Sequence, residues 1–205
     1  MLKDLTITEF LEKTASAEPL PGGGCTAALN AALAASLTEM VANLTIGREE
    51  FHAVEDEMKE IAQTAAGLSK KLQNDIDDDA RAYQEVLAAF KLPKNTDDEK
   101  KQRAGAIQKA FKNAATVPLG VARDALKIMD LASRAIAKGN QNAVTDGAVG
   151  VLVSRTAALA AIYNVKVNLS AIKDPDFVKE LTREVELLEG QVIEKEKQIL
   201  DPLKI

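Results

Sequence analysis

The stretch FHAVEDEMKEIAQTAAGLSKKLQNDIDDDARAYQEVLAAF, residues 51 to 90, decides the fold. Its apolar side chains fall at Phe51, Val54, Met58, Ile61, Ala65, Leu68, Leu72, Ile76, Tyr83, Val86 and Phe90. The steps are threes and fours, the spacing that lines up one face of an α-helix and not one face of a strand. A run of this length in a single phase predicts one long helix. One step is missing: between Ile76 and Tyr83 the period lands on Asp79. A carboxylate on an inward seam costs free energy unless it is compensated, so Asp79 requires either a structural counter-ion or a chemical role. Phase also divides the acidic run Asp75-Ile76-Asp77-Asp78-Asp79. Asp79, together with Asp75 one turn earlier, is placed inward; Asp77 and Asp78 are placed toward water.

Upstream lies Pro19-Leu20-Pro21-Gly22-Gly23-Gly24-Cys25-Thr26-Ala27-Ala28-Leu29, three glycines opening onto an alanine-rich helical pattern. A helix start leaves backbone N–H groups unpaired and carries partial positive charge, which suits an anion or a polarised carbonyl. Glycine, lacking Cβ, lets a ligand or another backbone approach the main chain closely. The spacing is neither GxxxxGK[ST] nor GxGxxG, and a stiff connection between helices is the plainer alternative. The helix is predicted over residues 26 to 46, with Gly47 as its stop. Its small residues, Ala27, Ala28, Ala31, Ala32, Ala34 and Ala35 among them, predict close packing at the centre of the molecule or against a second subunit.

The remaining segments are helical too. Thr6 with Glu9 and Thr96 with Glu99 have capping-box spacing. A pattern through Ile107, Phe111, Ala114, Pro118, Val121, Ala125, Ile128, Ala132 and Ala135 predicts a helix that Pro118 kinks or splits and Gly139 ends. After Asn140, a second small-residue seam runs Asp146, Gly150, Val153, Ala157, Ala161, Asn164 and Asn168, again beginning on an aspartate. Asp174-Pro175 supplies an N-cap and a first-turn proline for a last helix through Phe177, Leu181, Val185, Leu188, Val192 and Ile199. No segment reads as a strand. The expected fold is all-α: one domain over residues 1 to 205, a bundle of long antiparallel helices, dimerising through the small-residue helices 26 to 46 and 146 to 168.

Composition narrows the function. The chain has 205 residues, 46% of them hydrophobic, only 3% aromatic and no tryptophan, so its core is aliphatic. A formal net charge of −5 argues against nucleic acid as a partner. A single cysteine, Cys25, excludes an internal disulfide; a single histidine, His52, leaves too few soft ligands for a zinc site and none of the Glu-x-x-His pairs of a di-iron bundle. Neither residue is assigned a catalytic role. The N-terminus has no signal-peptide pattern and no uninterrupted apolar run reaches membrane-spanning length, so a cytoplasmic location without membrane attachment is expected.

In combination, Pro21-Gly22-Gly23-Gly24 before an alanine-rich helix, Met40-Val41-Ala42-Asn43-Leu44-Thr45-Ile46-Gly47, Asp79-Ala80-Arg81-Ala82-Tyr83, Leu92-Pro93-Lys94, Val117-Pro118, Gly139-Asn140 and Thr145-Asp146 resemble the cyclodeaminase/cyclohydrolase family. The resemblance implies an all-helical homodimer acting on a one-carbon unit carried by tetrahydrofolate. The implied reaction is cyclodeamination of 5-formimino-tetrahydrofolate to 5,10-methenyl-tetrahydrofolate and ammonia. The alternative is cyclohydrolysis of the methenyl compound to 10-formyl-tetrahydrofolate, and a non-enzymatic helical interaction protein stands behind both. Neither reaction calls for a metal or a tightly bound cofactor, the tetrahydrofolate derivative being substrate. Asp79 and Asp146 are the candidate catalytic carboxylates, expected to converge in one pocket. Pro21, Gly22, Gly23, Gly24, Asn43, Arg48, Lys94 and Asn140 are the candidate substrate-binding residues, and Arg123 is a further candidate cation for the glutamyl tail.

Overall fold

A computed structural model describes residues 1 to 203. Six α-helices follow one another: α1 (Ile7–Thr14), α2 (Gly23–Asn43), α3 (Glu55–Phe90), α4 (Asp97–Lys138), α5 (Val144–Leu169) and α6 (Pro175–Leu200). Short 3₁₀ turns precede α1, α3 and α5, and among the described residues there is no strand. Both capping boxes form: the Thr6 and Thr96 hydroxyls accept from the backbone N–H of Glu9 and Glu99, and each glutamate reaches back to the cap. The Asp174 side chain caps α6 as its position before Pro175 predicts.

The small-residue helices α2 and α5 are the centre of the bundle. They run antiparallel, since a side chain on Gly23 would meet Asn164, and one on Gly147 would meet Val41. Helix α3 is antiparallel to α2, with Ser36 and Ser69 hydroxyls 3.0 Å apart midway along the contact. Helix α4 returns along α3, where Arg134 and Lys138 both hold Glu57. Helix α6 lies outside α4 and α5, tied by Arg123 to Glu184 and by Lys166 to Glu189. On length and composition α2 and the segment Gln141–Leu169 could each cross a membrane, yet 56% and 50% of their most apolar windows are buried inside the bundle.

Three expectations are corrected. Helix α2 spans 23 to 43 rather than 26 to 46, with Gly22 as N-cap and Thr26 N–H donating to the Gly22 carbonyl, so the last two glycines form its first turn. Among the described residues Gly47 alone has positive φ, 77°, three positions beyond the C-cap, where it ends the turn after the helix. Helix α4 is continuous from Asp97 to Lys138, so Pro118 does not split it. The carbonyl that Pro118 leaves without its helical donor is that of Ala114, and the Asn168 side-chain amide of α5 donates to it at 2.9 Å. Asp77 is buried, not solvated: the N-terminal segment packs over it and the Leu2 backbone N–H donates to its Oδ1 at 2.6 Å. Asp75 is buried as expected, beside Lys71, which bridges it to Asp124.

Candidate active site

Helix α2 begins on glycine and has no side-chain cap of its own. A carboxylate of α3 stands over this start. Asp79 lies against the first turn of α2, where the Cys25 thiol donates to Oδ2 at 3.2 Å and the Cys25 backbone N–H favours the charged form. A Cβ on Gly24 would fall within 2.6 Å of Oδ2 and closer still to Oδ1. Glycine is therefore required at 24 for the approach of this carboxylate, and not for backbone conformation: no residue from 22 to 24 has positive φ.

Two opposed effects act on Asp79. Burial raises its pKa above the usual carboxylate value, while the Cys25 thiol and backbone N–H lower it, and burial prevails. No charge compensates it. Among the described residues Asp79 has no ion-pair partner, whereas Asp78 pairs with Arg81 and Asp75 with Lys71. The Cys25 thiol is pushed up to about 12 by burial and by the adjacent Asp79, so it remains a protonated donor at neutral pH.

Asp79 opens into a cavity of about 470 Å³. Gly22, Gly23 and Gly24 form one wall and the amides of Asn164 and Asn168 another; Tyr83, Val86, Leu87, Phe90 and Phe111 make an apolar arm leading outward. Phe90 and Phe111 meet edge to face, with ring centroids 6.1 Å apart. Beyond them Arg103 lies over the Phe90 ring, 5.6 Å from its centroid, and donates to the Phe90 carbonyl. The seam read from the sequence as core is thus only partly covered after Ile76: Val86 stays buried, while Tyr83 and Phe90, 38% and 47% exposed, line a cavity. Such a cavity has the room and lining for a flat ligand with an aromatic portion, and its polar end holds one carboxylate of raised pKa.

The sequence-derived candidates separate into two groups. Gly22, Gly23, Gly24 and Asp79 meet at the start of α2, and Pro21 is buried directly behind them. Asn43, Arg48, Asn140 and Asp146 lie at the other end of α2 and α5. Asp146 and Asn164 share α5, and at 1.5 Å per residue they are about 27 Å apart along it. Because Asn164 borders Gly23, Asp79 and Asp146 do not share a pocket within the chain, contrary to expectation. Asn140 is buried, its backbone N–H donating to the Thr45 hydroxyl, its amide to the Leu44 carbonyl, and its side-chain oxygen accepting from Asn142. Those bonds clamp the end of α2 to the start of α5. Arg48 is half-exposed near Glu50, Lys94 is exposed between α3 and α4, and Arg123 is held by Glu184 away from the cavity. Sequence reasoning did not single out Asn164, Asn168, Tyr83 or Phe111 as site residues. The first two ended a small-residue seam and the others occupied apolar phase, so only their meeting at one cavity reveals them.

Residues 6–187 match the model of the formiminotransferase-cyclodeaminase family. The chain is 39% identical over 199 residues to a methenyltetrahydrofolate cyclohydrolase of Methylorubrum extorquens, covering 97% of this chain and 96% of that one. It is 34% identical over 182 residues to the formimidoyltransferase-cyclodeaminase of Rattus norvegicus, covering 89% of this chain and 34% of that larger protein. The crystal structure of formiminotetrahydrofolate cyclodeaminase from Thermotoga maritima superposes with a TM-score of 0.87 at 28% identity, covering 98% of each chain. Sequence matched over nearly the whole length, on the same helical architecture, places this chain in the formiminotransferase-cyclodeaminase family.

Proposed function

We propose that the protein is an enzyme of tetrahydrofolate one-carbon chemistry, acting at the carbon between N5 and N10, with the cavity at the start of α2 as its site. The observation that carries this reading is Asp79: an unpaired carboxylate of raised pKa, held on a helix N-terminus at the polar end of a cavity whose other end is aromatic. In cyclodeamination N10 attacks the formimino carbon of 5-formimino-tetrahydrofolate. The N10 proton is taken up, the amine is protonated, and the carbon–nitrogen bond to it breaks to release ammonia and the 5,10-methenyl cation. Asp79 supplies the group that receives and returns that proton, and its negative charge steadies the cation. Cyclohydrolysis uses the same arrangement in another direction: water adds to the methenyl carbon, a proton leaves, and the bond to N5 opens to give 10-formyl-tetrahydrofolate. The end-to-end likeness to a protein named as a cyclohydrolase supports this second reaction. Neither route asks for a resident metal or cofactor, and both fit a cytoplasmic enzyme.

Two assays decide between them. Loss of the ultraviolet absorbance of 5,10-methenyl-tetrahydrofolate reads cyclohydrolysis, and ammonia release from the 5-formimino compound reads cyclodeamination. Asp79→Asn is expected to lower turnover by roughly 10²–10⁴-fold in whichever assay is positive. Activity in neither assay, or full activity in Asp79→Asn, overturns the reading.

The functional unit we propose is a homodimer. Helices α2 and α5 together present Leu29, Leu33 and Met40 with Val149, Leu152, Tyr163 and Val167 to solvent, an apolar face continuous over two antiparallel helices. A two-fold axis lying in that face, across the helix direction, exchanges the two ends of the molecule. It would bring Asp146 of the partner subunit toward the cavity that holds Asp79, reuniting the two groups of candidate residues.

A further inference from the structure

Cys25 is the one cysteine of the chain, fully buried, and takes no part in either proposed reaction. Its surroundings are specific. The thiol donates to Asp79 Oδ2 at 3.2 Å, and the Cys25 backbone N–H acts in the same sense on the carboxylate, favouring its charged form. The carboxylate is confined on its other side by Gly24, whose missing Cβ makes the space it occupies. The remaining groups around Asp79 do not compete for it. Tyr83 on α3 lines the same cavity, and α5 contributes the neutral amides of Asn164 and Asn168 with the apolar Val167. On α3 itself Asp75, Asp77 and Asp78 are engaged by Lys71, the Leu2 backbone and Arg81. Lys13 and Glu18 lie across the Pro19-Leu20 segment, in a neighbouring depression.

We propose that Cys25 is a positioning residue for Asp79: its thiol proton holds the carboxylate against the start of α2 and tunes how readily that carboxylate takes up a proton from the ligand. Thiols are weak donors, and weakness is the useful property here. A lysine or arginine would fix Asp79 as a permanent carboxylate, whereas a thiol that cannot itself ionise at neutral pH leaves it exchangeable. The role in turnover rests on the folate reading; the grip on Asp79 does not.

The test reads Asp79 directly. Its titration is followed in the folded protein by carboxyl carbon NMR, with the Asp79 signal assigned by its absence in Asp79→Asn. Removing the donor in Cys25→Ala is expected to raise the midpoint by about 0.5–1 pH unit, and Cys25→Ser, which keeps a donor, is expected to bring it back toward the parent value. In parallel the infrared S–H band of the single cysteine should move as Asp79 protonates and become independent of pH in Asp79→Asn. The acid limb of kcat/KM should follow the NMR midpoint in each variant. A folded Cys25→Ala protein with an unmoved midpoint, or an S–H band that ignores Asp79→Asn, overturns the proposal, because a role in packing alone moves neither. A protein that turns over neither folate yet shows the moving midpoint sinks the functional reading and leaves the Cys25–Asp79 grip established.

Discussion

At the scale of single residues, the site is built by the absence of one Cβ. Gly24 and Gly23 are adjacent, but they are not equivalent. A methyl group on Gly24 would overlap Asp79, while one on Gly23 would press on the Asn164 amide at 3.3 Å, which that side chain can accommodate. Gly24→Ala is therefore expected to displace Asp79 and lower turnover at least about 10²-fold, with circular dichroism nearly unchanged, and Gly23→Ala to be much milder. Equal losses in the two variants would show that the loop glycines serve a ligand rather than Asp79. The sign of Asp79's own contribution to stability is also defined. Its pKa is raised on folding, so the native state binds the extra proton and stability falls as pH rises from the unfolded value through the folded one. Above that window the charged carboxylate is a net cost. Asp79→Asn should raise the melting temperature at pH 7 and lose that advantage in acid, the reverse of what removing an ion-paired aspartate does. That Asp79 faces inward was legible from phase alone. That Asp77 does so was not, because the Leu2 backbone that covers it comes from 75 positions away. Nor could spacing show that the space left by Gly24 is filled by the chain's own carboxylate.

At the scale of elements, the helices were legible where one face is apolar and the rest polar, as in α3, α4 and α6. Their ends were legible where a side chain caps locally, at Thr6, Thr96 and Asp174. The start of α2 was read three residues late because its N-cap, Gly22, has no side chain to signal it and the carboxylate over its first turn, Asp79, lies on another helix. The continuity of α4 through Pro118 has the same origin. Proline withholds a donor from the Ala114 carbonyl, and the replacement, Asn168, is 54 positions away on α5. This couples two residues that share no sequence pattern. Asn168→Ala is expected to lose about 1–3 kcal/mol, the cost of leaving that buried acceptor unpaired. In a Pro118→Ala background, where the residue 118 N–H can again donate to Ala114, the same change should cost markedly less. Denaturant titration of the four proteins in this cycle measures the coupling, and strictly additive losses would refute it.

For the molecule as a whole, the open question is what the outer face of α2 and α5 meets. A bundle of this size normally encloses its most apolar helices, and here the inner stripes of both are fully covered while leucines, a valine pair and Tyr163 at 67% exposure remain outside. The proposed occupant is a second copy of the same face, which would be self-complementary. The dimer with exchanged ends makes a prediction that a parallel dimer or a monomer does not. Asp79→Asn and Asp146→Asn should each be inactive as homodimers, since every site then lacks one carboxylate. After the two proteins are mixed under conditions that allow subunits to exchange, heterodimers carry one site with both aspartates intact and one with neither. Activity should reappear, approaching about one quarter of the parent value when subunits pair at random, because half of the dimers then have one of their two sites restored. Leu33→Glu should abolish both the dimer, by light scattering, and the recovery on mixing. If mixing restores nothing while each variant remains a folded dimer, Asp79 and Asp146 do not work in one site, and the role of Asp146 belongs to its own end of the bundle with Arg48 and the clamp at Asn140.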